Sequence, residues 1–461
     1  MLMILAQTTG FRLTDYLPSL WVIALVVAAA VIACIAFFGK IPLQYNLRNL
    51  TVRWLTTLLT VSVFALFTGL LVAMLAFVNG MYRLTESSGQ PGNVIILSEG
   101  AVDEAFSNFA YADLSDIENQ PGVERDGDKP LASRETYLVV NQPVLDPQPG
   151  RPKKRFLQLR GIDEPVMAGR VHGLGLKAGS EWFSAAGVRS VPGEGGRPES
   201  LIEAVLGEGV AGELGRDRNP AAIAAANDPQ TLVPGDTFLL GNRRFVVAGI
   251  MNSNGSTFDS EVWAKQSLVG KMFGKEAFST LVCRAADAAG AQKLKNFLNN
   301  DYKKASVRAQ VETEYFASLS ETNKQFLFAI IFVAVIMSVG GVFGVMNTMF
   351  AAIAQRTKDI GVLRIIGYKR AQILTSFLLE SLLLAVIGGA VGCALGSLAH
   401  GWRTNSVVGG GQGGGKFVVL EMVVDGETLA VGMVVALMMG LVGGVVPAIA
   451  ATFKRPLESL R

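Results

Sequence analysis

The sequence predicts an α-helical membrane protein with four core spans, one extra N-terminal span and a large α+β extracytoplasmic domain. Half of the 461 residues are hydrophobic, and many of these hydrophobic residues lie in long apolar runs. A helix needs about 20 apolar residues to cross a bilayer, and five runs are long enough. A polar stretch of about half the chain separates the second run from the third, and the loops between runs differ in charge.

The five apolar runs are the predicted spans, and they cover residues 17–38, 56–78, 326–353, 373–398 and 429–452. The first run must be distinguished from a signal peptide, whose apolar region is about 7–15 residues long. Its core from Trp21 to Phe38 is longer than that, and no small-residue cleavage site follows at Gly39-Lys40. We therefore expect a retained transmembrane helix, preceded by a short extracytoplasmic N-terminus at residues 1–16.

The charge of the loops predicts their side of the membrane, because short cytoplasmic loops collect Lys and Arg. Residues 39–55, 354–372 and 453–461 are basic. The Gly-rich loop at 399–428 instead has three acidic residues against two Lys or Arg residues. The basic segments are predicted to be a cytoplasmic helix that leads into the second span, a cytoplasmic loop and a cytoplasmic tail. Residues 79–325 and 399–428 are then extracytoplasmic, which predicts a multi-pass protein of the cell inner (cytoplasmic) membrane.

The polar stretch at residues 79–325 has the pattern of an α+β domain. Its length suits one large or two small domains. Short runs bounded by turn residues predict strands, and Thr237–Leu240 followed by Arg244–Ile250 predicts a β-hairpin. Helices are predicted around Ala112–Glu118, Glu203–Leu214 and Ala286–Asn299.

The chain shows no constellation typical of an enzyme. The outer stretch lacks a nucleophile elbow, a paired-His metal motif and a Gly-rich strand-to-helix turn. His172 and His400 are far apart in sequence and have no clustered ligand types beside them. We therefore predict no catalytic residue, no cofactor and no metal. The net charge of +3 is too small to indicate a nucleic-acid partner.

One segment imitates an ATP-binding loop. Gly410 to Lys416 fits the first seven positions of a P-loop, but Phe417 stands where a Ser or Thr would bind magnesium. The predicted orientation also places this segment outside the cell. We interpret it as a flexible extracytoplasmic loop, so the chain is predicted to carry no ATPase site of its own.

Glycines recur at four-residue spacing in the last three spans. Residues four apart share a helix face, and glycine allows close helix approach in lipid. Glycine is common in membrane helices, and with 51 of them in the chain a single such spacing carries little weight. Their recurrence predicts a tightly packed bundle or dimer with these helix-packing residues: Gly340, Gly344, Gly388, Gly392, Gly396, Gly440 and Gly444.

Glu380 interrupts the apolar fourth run, where a carboxylate is costly in hydrocarbon and normally faces protein or water. A proton relay would need a second ionisable group at similar depth, and none is evident. We therefore predict that Glu380 serves packing or interfacial anchoring.

The basic loop at 354–372 mixes charged and apolar residues, as expected of a short helix that contacts a partner. Ile360, Leu363 and Ile366–Gly367 are predicted to form one apolar face. The cations Arg356, Lys358, Arg364 and Lys369 would lie at its edge. The alternative is that these cations only bind anionic lipid headgroups.

These segments together resemble the FtsX/MacB-type ABC transporter permease family. The similarity is strongest over residues 339–396, which include the runs QRTKDIG at 355–361 and LRIIGY at 363–368. It continues in NLRNL at 46–50 and in the C-terminal segment at 447–461. In the outer domain, Glu203–Gly215, Pro234–Asp236 and Phe245–Ile250 are similar to the extracytoplasmic core of the MacB group. The first span departs from the usual four-span pattern of the family.

The resemblance implies a permease subunit that couples ATP hydrolysis by a separate cytoplasmic ABC ATPase subunit to movement of its extracytoplasmic domain. The result would be export or extraction of an amphipathic substrate. Its implied partners are membrane lipid, a periplasmic adaptor or envelope protein, and a second permease copy in a homodimer or related heterodimer. The implied ATPase-coupling residues are Arg356, Lys358, Asp359, Ile360, Gly361, Leu363, Arg364, Ile366 and Gly367.

Two other functions remain open from the sequence. An FtsX-like transmembrane signalling protein would regulate a cell-envelope partner without transport. A membrane-anchored enzyme is disfavoured, because no catalytic motif supports it.

Overall fold

The computed structural model describes residues 52, 54–101, 103–144, 153–192, 198–253, 255–319, 321–408 and 416–453. The predicted first span, most of the helix at 39–55, the glycines at 409–415 and the tail after Phe453 lie outside the described residues.

The helices are α1 (Trp54–Glu86), α2 (Tyr111–Glu118), α3 (Pro165–His172), α4 (Glu208–Arg216), α5 (Pro220–Ala225), α6 (Gln266–Phe273), α7 (Ala288–Asn300), α8 (Glu312–Leu319), α9 (Glu321–Gln355), α10 (Thr357–Ile366), α11 (Arg370–Ser397) and α12 (Gly426–Phe453). The strands are β1 (Asn93–Ser98), β2 (Arg125–Asp126), β3 (Lys129–Pro130), β4 (Ala132–Pro143), β5 (Lys154–Ile162), β6 (Gly175–Leu176), β7 (Val188–Pro192), β8 (Pro198–Gly207), β9 (Thr237–Leu240), β10 (Arg243–Asn252), β11 (Glu261–Lys265), β12 (Thr280–Arg284), β13 (Val307–Val311), β14 (Arg403–Val408) and β15 (Lys416–Glu421).

The chain forms two compact units. Of the described residues, the membrane unit contains those within 52–79, 326–402 and 422–453, and the outer unit contains those within 80–325 and 403–421. Among the described residues, four helices are long and apolar enough to cross a membrane, namely α1, α9, α11 and α12. These helices contain the four later runs predicted from the sequence, except that α11 ends one residue before the end of the run at 373–398. The predicted class, a four-span helical core with a large α+β domain, is confirmed.

Close backbone approach holds the membrane unit together. A Cβ atom at Gly392 would lie 2.7 Å from the Cβ of Thr68, and one at Gly396 would lie 2.6 Å from the Cβ of Val72. Gly388 likewise lies against α1, with Val61 O only 2.8 Å from the Cβ position. The glycine face of α11 therefore packs directly on α1, as small residues allow in membrane helices.

Helix α12 packs on α11 through its own glycines. A Cβ atom at Gly440 would lie 2.6 Å from the Cβ of Ala385, and one at Gly444 would lie 2.7 Å from Ser381 Oγ. The Ser381 hydroxyl also donates a hydrogen bond to the carbonyl of Gly440 at 2.6 Å. Helix α11 is thus fixed against neighbours on two sides.

Helix α9 uses its glycines differently from the prediction. Within the described part of the chain, Gly340 has no atom within 4 Å of its Cβ position, and Gly344 has only Val63 at 3.3 Å. The adjacent Gly341 makes the close approach instead, against Phe67 and Met439. Gly340 and Gly341 are about 100° apart around the helix, so only one of them can face this contact.

The outer unit is built on one sheet of the order β13-β1-β12-β4-β5-β11-β8-β10-β6, in which β7 pairs with β8 and β9 pairs with β10. Most neighbours are antiparallel, whereas β5/β11 and β8/β10 are parallel. One hydrophobic cluster includes Val94, Leu281 and Leu294, and another includes Leu159, Leu206 and Val247. The single sheet therefore carries two packed cores.

Local predictions in the outer unit were right in part. The β9–β10 hairpin is confirmed, with Leu240 opposite Arg243 and Gly241 at φ +60° in the turn. The helix predicted at Glu203–Leu214 is wrong for its first half. Residues up to Gly207 belong to β8, which pairs with both β10 and β11, and α4 begins only at Glu208. The near-continuous apolar run of a strand buried on both faces imitates a helix segment.

The predicted Gly-rich loop at 399–428 contains ordered structure. Strands β14 and β15 form an antiparallel hairpin that belongs to the outer unit. The backbone N–H of Val419 donates to Ser260 Oγ at 2.7 Å, and Arg403 pairs with Glu208 at 3.2 Å. The prediction of a loop was therefore wrong for residues 403–408 and 416–421, which form strands. The flexible segment predicted at Gly410–Lys416 lies, apart from Lys416, outside the described residues.

Candidate functional site

The predicted coupling segment folds into the short helix α10 between α9 and α11. Asp359 lies in its first turn and Arg364 in its last, each at the end where its charge favours the helix dipole. Gly367 ends the helix at φ +108°, a conformation that other residues adopt only with strain. The N–H groups of Gly367 and Tyr368 then bond back to Arg364 and Leu363, which closes the C-terminus as in a Schellman motif.

The predicted coupling residues fall into three groups by exposure. Lys358, Asp359, Ile366 and Gly367 are exposed, Leu363 and Arg364 are half-buried, and Arg356, Ile360 and Gly361 are buried. Ile360 is only 3% exposed and packs in the core of the membrane unit. The segment therefore divides into an inward side and an outward side.

The apolar face of α10 differs from the predicted one. Ile360 and Ile366 are six residues apart, which places them about 120° apart around the helix, and Ile360 is buried whereas Ile366 is exposed. The exposed apolar side chains are Val362, Ile365 and Ile366, at the spacing i, i+3 and i+4. The pattern was present in the sequence, but it was assigned to the wrong register.

Arg356 does not lie at an exposed edge, as the sequence had suggested. It stands at the junction of α9 and α10, where its Nη1 and Nη2 donate to the two carboxylate oxygens of Glu380 at 2.7 and 2.8 Å. Both side chains are 3% exposed. This bidentate ion pair supplies the ionisable partner of Glu380 that the sequence did not reveal. The sequence did contain one indication of this pair, because the two residues have opposite charge and both lie near the predicted cytoplasmic side of the membrane.

A second buried charged cluster lies in the outer unit. Arg160 donates to both carboxylate oxygens of Glu261 at 2.6 and 2.7 Å, and it also bonds to Glu104 and Glu135. His172 lies between two carboxylates, with Nε2 at 2.6 Å from Glu135 Oε1 and Nδ1 at 2.9 Å from Glu312 Oε1. All of these side chains are nearly inaccessible to solvent.

The electrostatics of this cluster favour the ionised forms of His172 and Glu135. Burial by itself lowers the pKa of His172, but the carboxylates of Glu135 and Glu312 outweigh it and raise the pKa to about 10. Burial raises the pKa of Glu135, but His172 and Arg160 together lower it to about 2. His172 is therefore a buried cation within a salt-bridge network. The sequence alone does not reveal this network, because its acids are far apart along the chain.

Among the described residues, no group of three or more His, Cys, Asp or Glu side chains is arranged to hold a metal ion. In the outer unit, Arg160 and His172 pair with four carboxylates, and in the membrane unit Arg356 pairs with Glu380. Helix α10 with its ion pair is the candidate site on the membrane unit.

Two protein-family models match the chain. The MacB-like periplasmic core domain matches residues 57–300, which is more than half of the chain, and the FtsX-like permease C-terminal domain matches residues 331–456. The second match contains α10, Arg356 and Glu380. The first match contains Arg160, His172 and the other residues of the buried cluster except Glu312.

Curated relatives include the macrolide export ATP-binding/permease protein MacB of Burkholderia lata. It is 23% identical over 388 residues, which cover 80% of this chain and 52% of the relative. MacB of Nitrobacter winogradskyi is 29% identical over 264 residues, which cover 52% of this chain and 38% of the relative. This chain thus spans about half the length of the relatives it matches most extensively.

Among solved structures, the periplasmic region of MacB from Actinobacillus actinomycetemcomitans is similar to this chain at 14% identity and a TM-score of 0.32. The match covers 52% of this chain and 98% of that one. The two family matches, together with the four apolar helices, identify a multi-pass inner-membrane protein. The chain belongs to the MacB/FtsX-type family of ABC transporter permeases.

Proposed function

We propose that this chain is a permease subunit that couples ATP hydrolysis by a separate cytoplasmic ABC ATPase subunit to movement of its extracytoplasmic domain. The outcome is export or extraction of an amphipathic substrate. The ATPase contacts α10, and the membrane helices relay its movement. A second permease copy, as a homodimer or related heterodimer, completes the assembly.

One observation carries this proposal. Helix α10 has ten residues, about 15 Å in length, and so it cannot cross a bilayer. It nevertheless exposes Val362, Ile365 and Ile366 at 45, 60 and 69%. Lys358 and Asp359 on the same helix are also exposed. Three exposed apolar side chains beside charged residues are more favourably buried against a protein partner than left in water.

The proposed occupant of this face is the ATPase subunit, and the alternative is the lipid interface, where an apolar helix face can also be buried. The family supports the first, because the relatives are named ATP-binding/permease proteins. The name of those relatives covers both ATP binding and the permease function. For this chain, the matched segments are a permease domain and a periplasmic core domain.

Replacing Ile366 by Asp tests the contact. We expect co-purification of the ATPase to fall about tenfold or more, since a central apolar contact of an interface contributes about 2 kcal/mol. The control is Leu398→Asp, because Leu398 is 66% exposed at the end of α11 remote from α10. Membrane insertion is measured for both variants. A native yield of ATPase with the Ile366 variant, properly inserted, would refute the docking assignment.

The amphipathic class of substrate is supported by a cleft in the outer unit. Its volume is about 460 Å³, a size suited to a small-molecule ligand. Apolar and charged side chains both line it, including Leu157, Leu214, Phe238, Arg155 and Arg244. Such a lining can contact an apolar body and a polar group of the same molecule.

Transport and signalling are separated by reconstitution. Proteoliposomes that contain the permease and the co-purified ATPase should show ATP-dependent movement of an amphipathic dye out of the bilayer. ATP hydrolysis without dye movement, but with ATP-dependent binding of an envelope protein to the outer unit, would favour the signalling alternative instead.

A further inference from the structure

Short backbone segments connect α10 to α9 and to α11. Toward α11 the chain passes through Gly367, Tyr368 and Lys369, and Gly367 has φ +108°. Toward α9 it passes through Arg356, whose backbone at φ −106° and ψ 15° leaves the α-helical region. The helix is therefore flanked by a backbone break at each end. On its inward side, the buried residues are Ile360 and Gly361.

The Arg356–Glu380 ion pair connects the break between α9 and α10 to helix α11. Arg356 occupies the cap position of α10, and Glu380 lies in the third turn of α11. Both guanidinium Nη atoms and both carboxylate oxygens take part, which fixes direction as well as distance. Because both side chains are buried, pulling them apart would leave two charges without their partner in a site that is nearly closed to water. The pair resists displacement of α10 away from α11.

Helix α11 is in turn linked to the other spans. Ser381, the residue after Glu380, donates to the Gly440 carbonyl of α12, and the Gly388, Gly392 and Gly396 row packs on α1. A displacement that enters α11 at Glu380 therefore reaches two further helices. Without the pair, α10 would still be joined to α11 by the backbone through Gly367 and by the packing of Ile360 in the shared core.

We propose that Arg356 and Glu380 form a positioning pair that holds α10 to α11, so that the two helices move as one body when α10 is displaced. This inference rests on the proposed function for the source of the displacement. The pair itself can be tested without any ATPase. It concerns residues that act through α10 and touch neither ATP nor substrate.

The first test measures the distance between spin labels on α10 and α11 in the full chain in lipid nanodiscs. The labels are placed at Val362→Cys and Val391→Cys, both exposed positions, after Cys34, Cys283 and Cys393 are replaced by Ala. The native pair should give one narrow distance distribution. A variant with Arg356→Met and Glu380→Leu leaves no buried charge unpaired and so should still fold. In this variant the distribution should broaden.

Two further variants separate the bond from general packing. The exchanged pair, Arg356→Glu with Glu380→Arg, should restore the narrow distribution. The control Arg370→Gln removes an exposed guanidinium at the start of α11 and should leave the distribution as in the native chain. A narrow distribution in the apolar double variant would show that packing alone holds α10, and would overturn the proposal. A distribution that stays broad in the exchanged pair would also count against it.

The second test adds the co-purified ATPase to chains labelled at Phe332 on α9 and Val391 on α11, both exposed. ATP should change this distance in the native chain, and the change should be lost in the apolar double variant at a native amount of bound ATPase. Retention of the change would overturn the positioning role. If the native chain binds no ATPase, the proposed function fails, whereas the first test still decides the role of the pair.

Discussion

Replacing Glu312 by Gln should strongly destabilise the outer unit. Glu312 is 1% exposed, and its neighbours are all hydrogen-bond donors: His172 at 2.9 Å, the Gln90 N–H at 2.8 Å and the Asn93 amide at 2.8 Å. A Gln side chain has one acceptor oxygen and one donor NH₂ group. As long as His172 carries both ring protons, the NH₂ group must therefore face at least one donor, and His172 loses one of its two carboxylates.

The expected size of the effect follows from the burial. Removing one partner of a buried ion pair costs about 3–5 kcal/mol, and a domain of this size shifts its melting temperature by about 2–4 °C per kcal/mol. We therefore expect the melting temperature of the outer unit to fall by about 6–20 °C. A loss of about 3–5 kcal/mol is a large fraction of the free energy of unfolding of a typical domain.

The assay is thermal unfolding of the full chain in nanodiscs, followed by tryptophan fluorescence. Trp263 reports on this region, since its ring lies 5.9 Å from the His172 ring and its indole donates to Glu261 at 2.9 Å. The matched control is Glu314→Gln on the same helix. Glu314 is 49% exposed and pairs with Lys295, so its loss should cost at most about 1 kcal/mol. Equal shifts for the two variants would refute the reasoning.

Two further predictions concern pH and helix packing. The folded-state pKa of His172 is raised to about 10 from 6.5, so its contribution to stability is complete below pH 6.5 and is lost as the pH rises toward 10. The melting temperature of the native outer unit should fall over that range, and His172→Gln should flatten the decline; an unchanged pH profile in the variant would contradict the assignment. In the membrane unit, Gly341→Leu should destabilise the fold in denaturant titrations by about 1–3 kcal/mol through overpacking against Met439 and Phe67. The control Gly340→Leu has open space within the described chain and should be tolerated; equal destabilisation by both would refute the packing seen at α9.

The sequence predicts the parts of this fold that depend on local pattern. The spans in α1, α9, α11 and α12 follow from length and apolarity alone, since a bilayer sets both. The β9–β10 hairpin follows from two short apolar runs and a turn. The helix assigned to residues 203–207 was wrong because a strand buried on both faces loses its alternation, and the elements that bury it are distant in sequence.

The candidate site was harder to predict, because its decisive contacts join distant residues. Arg356 and Glu380 are separated by a helix and a turn, and neither residue by itself indicates the other. His172, Glu135 and Glu312 come from three separate elements. The exposed face of α10 is a different case. It could have been obtained from the sequence by placing residues 356–367 at 100° intervals, which separates Ile360 from Ile366.

The β14–β15 hairpin changes how the outer unit can be isolated for separate experiments. Residues 80–325 look like a self-contained insertion in the sequence, but they make up only part of the folded unit. A recombinant fragment cut at these limits would lack Leu420, which is fully buried, and Val418, which is 2% exposed. It would also remove the partner of Ser260 Oγ and one cation beside Glu208. A soluble fragment should therefore carry residues 403–421, rejoined to residues 80–325 by a flexible linker.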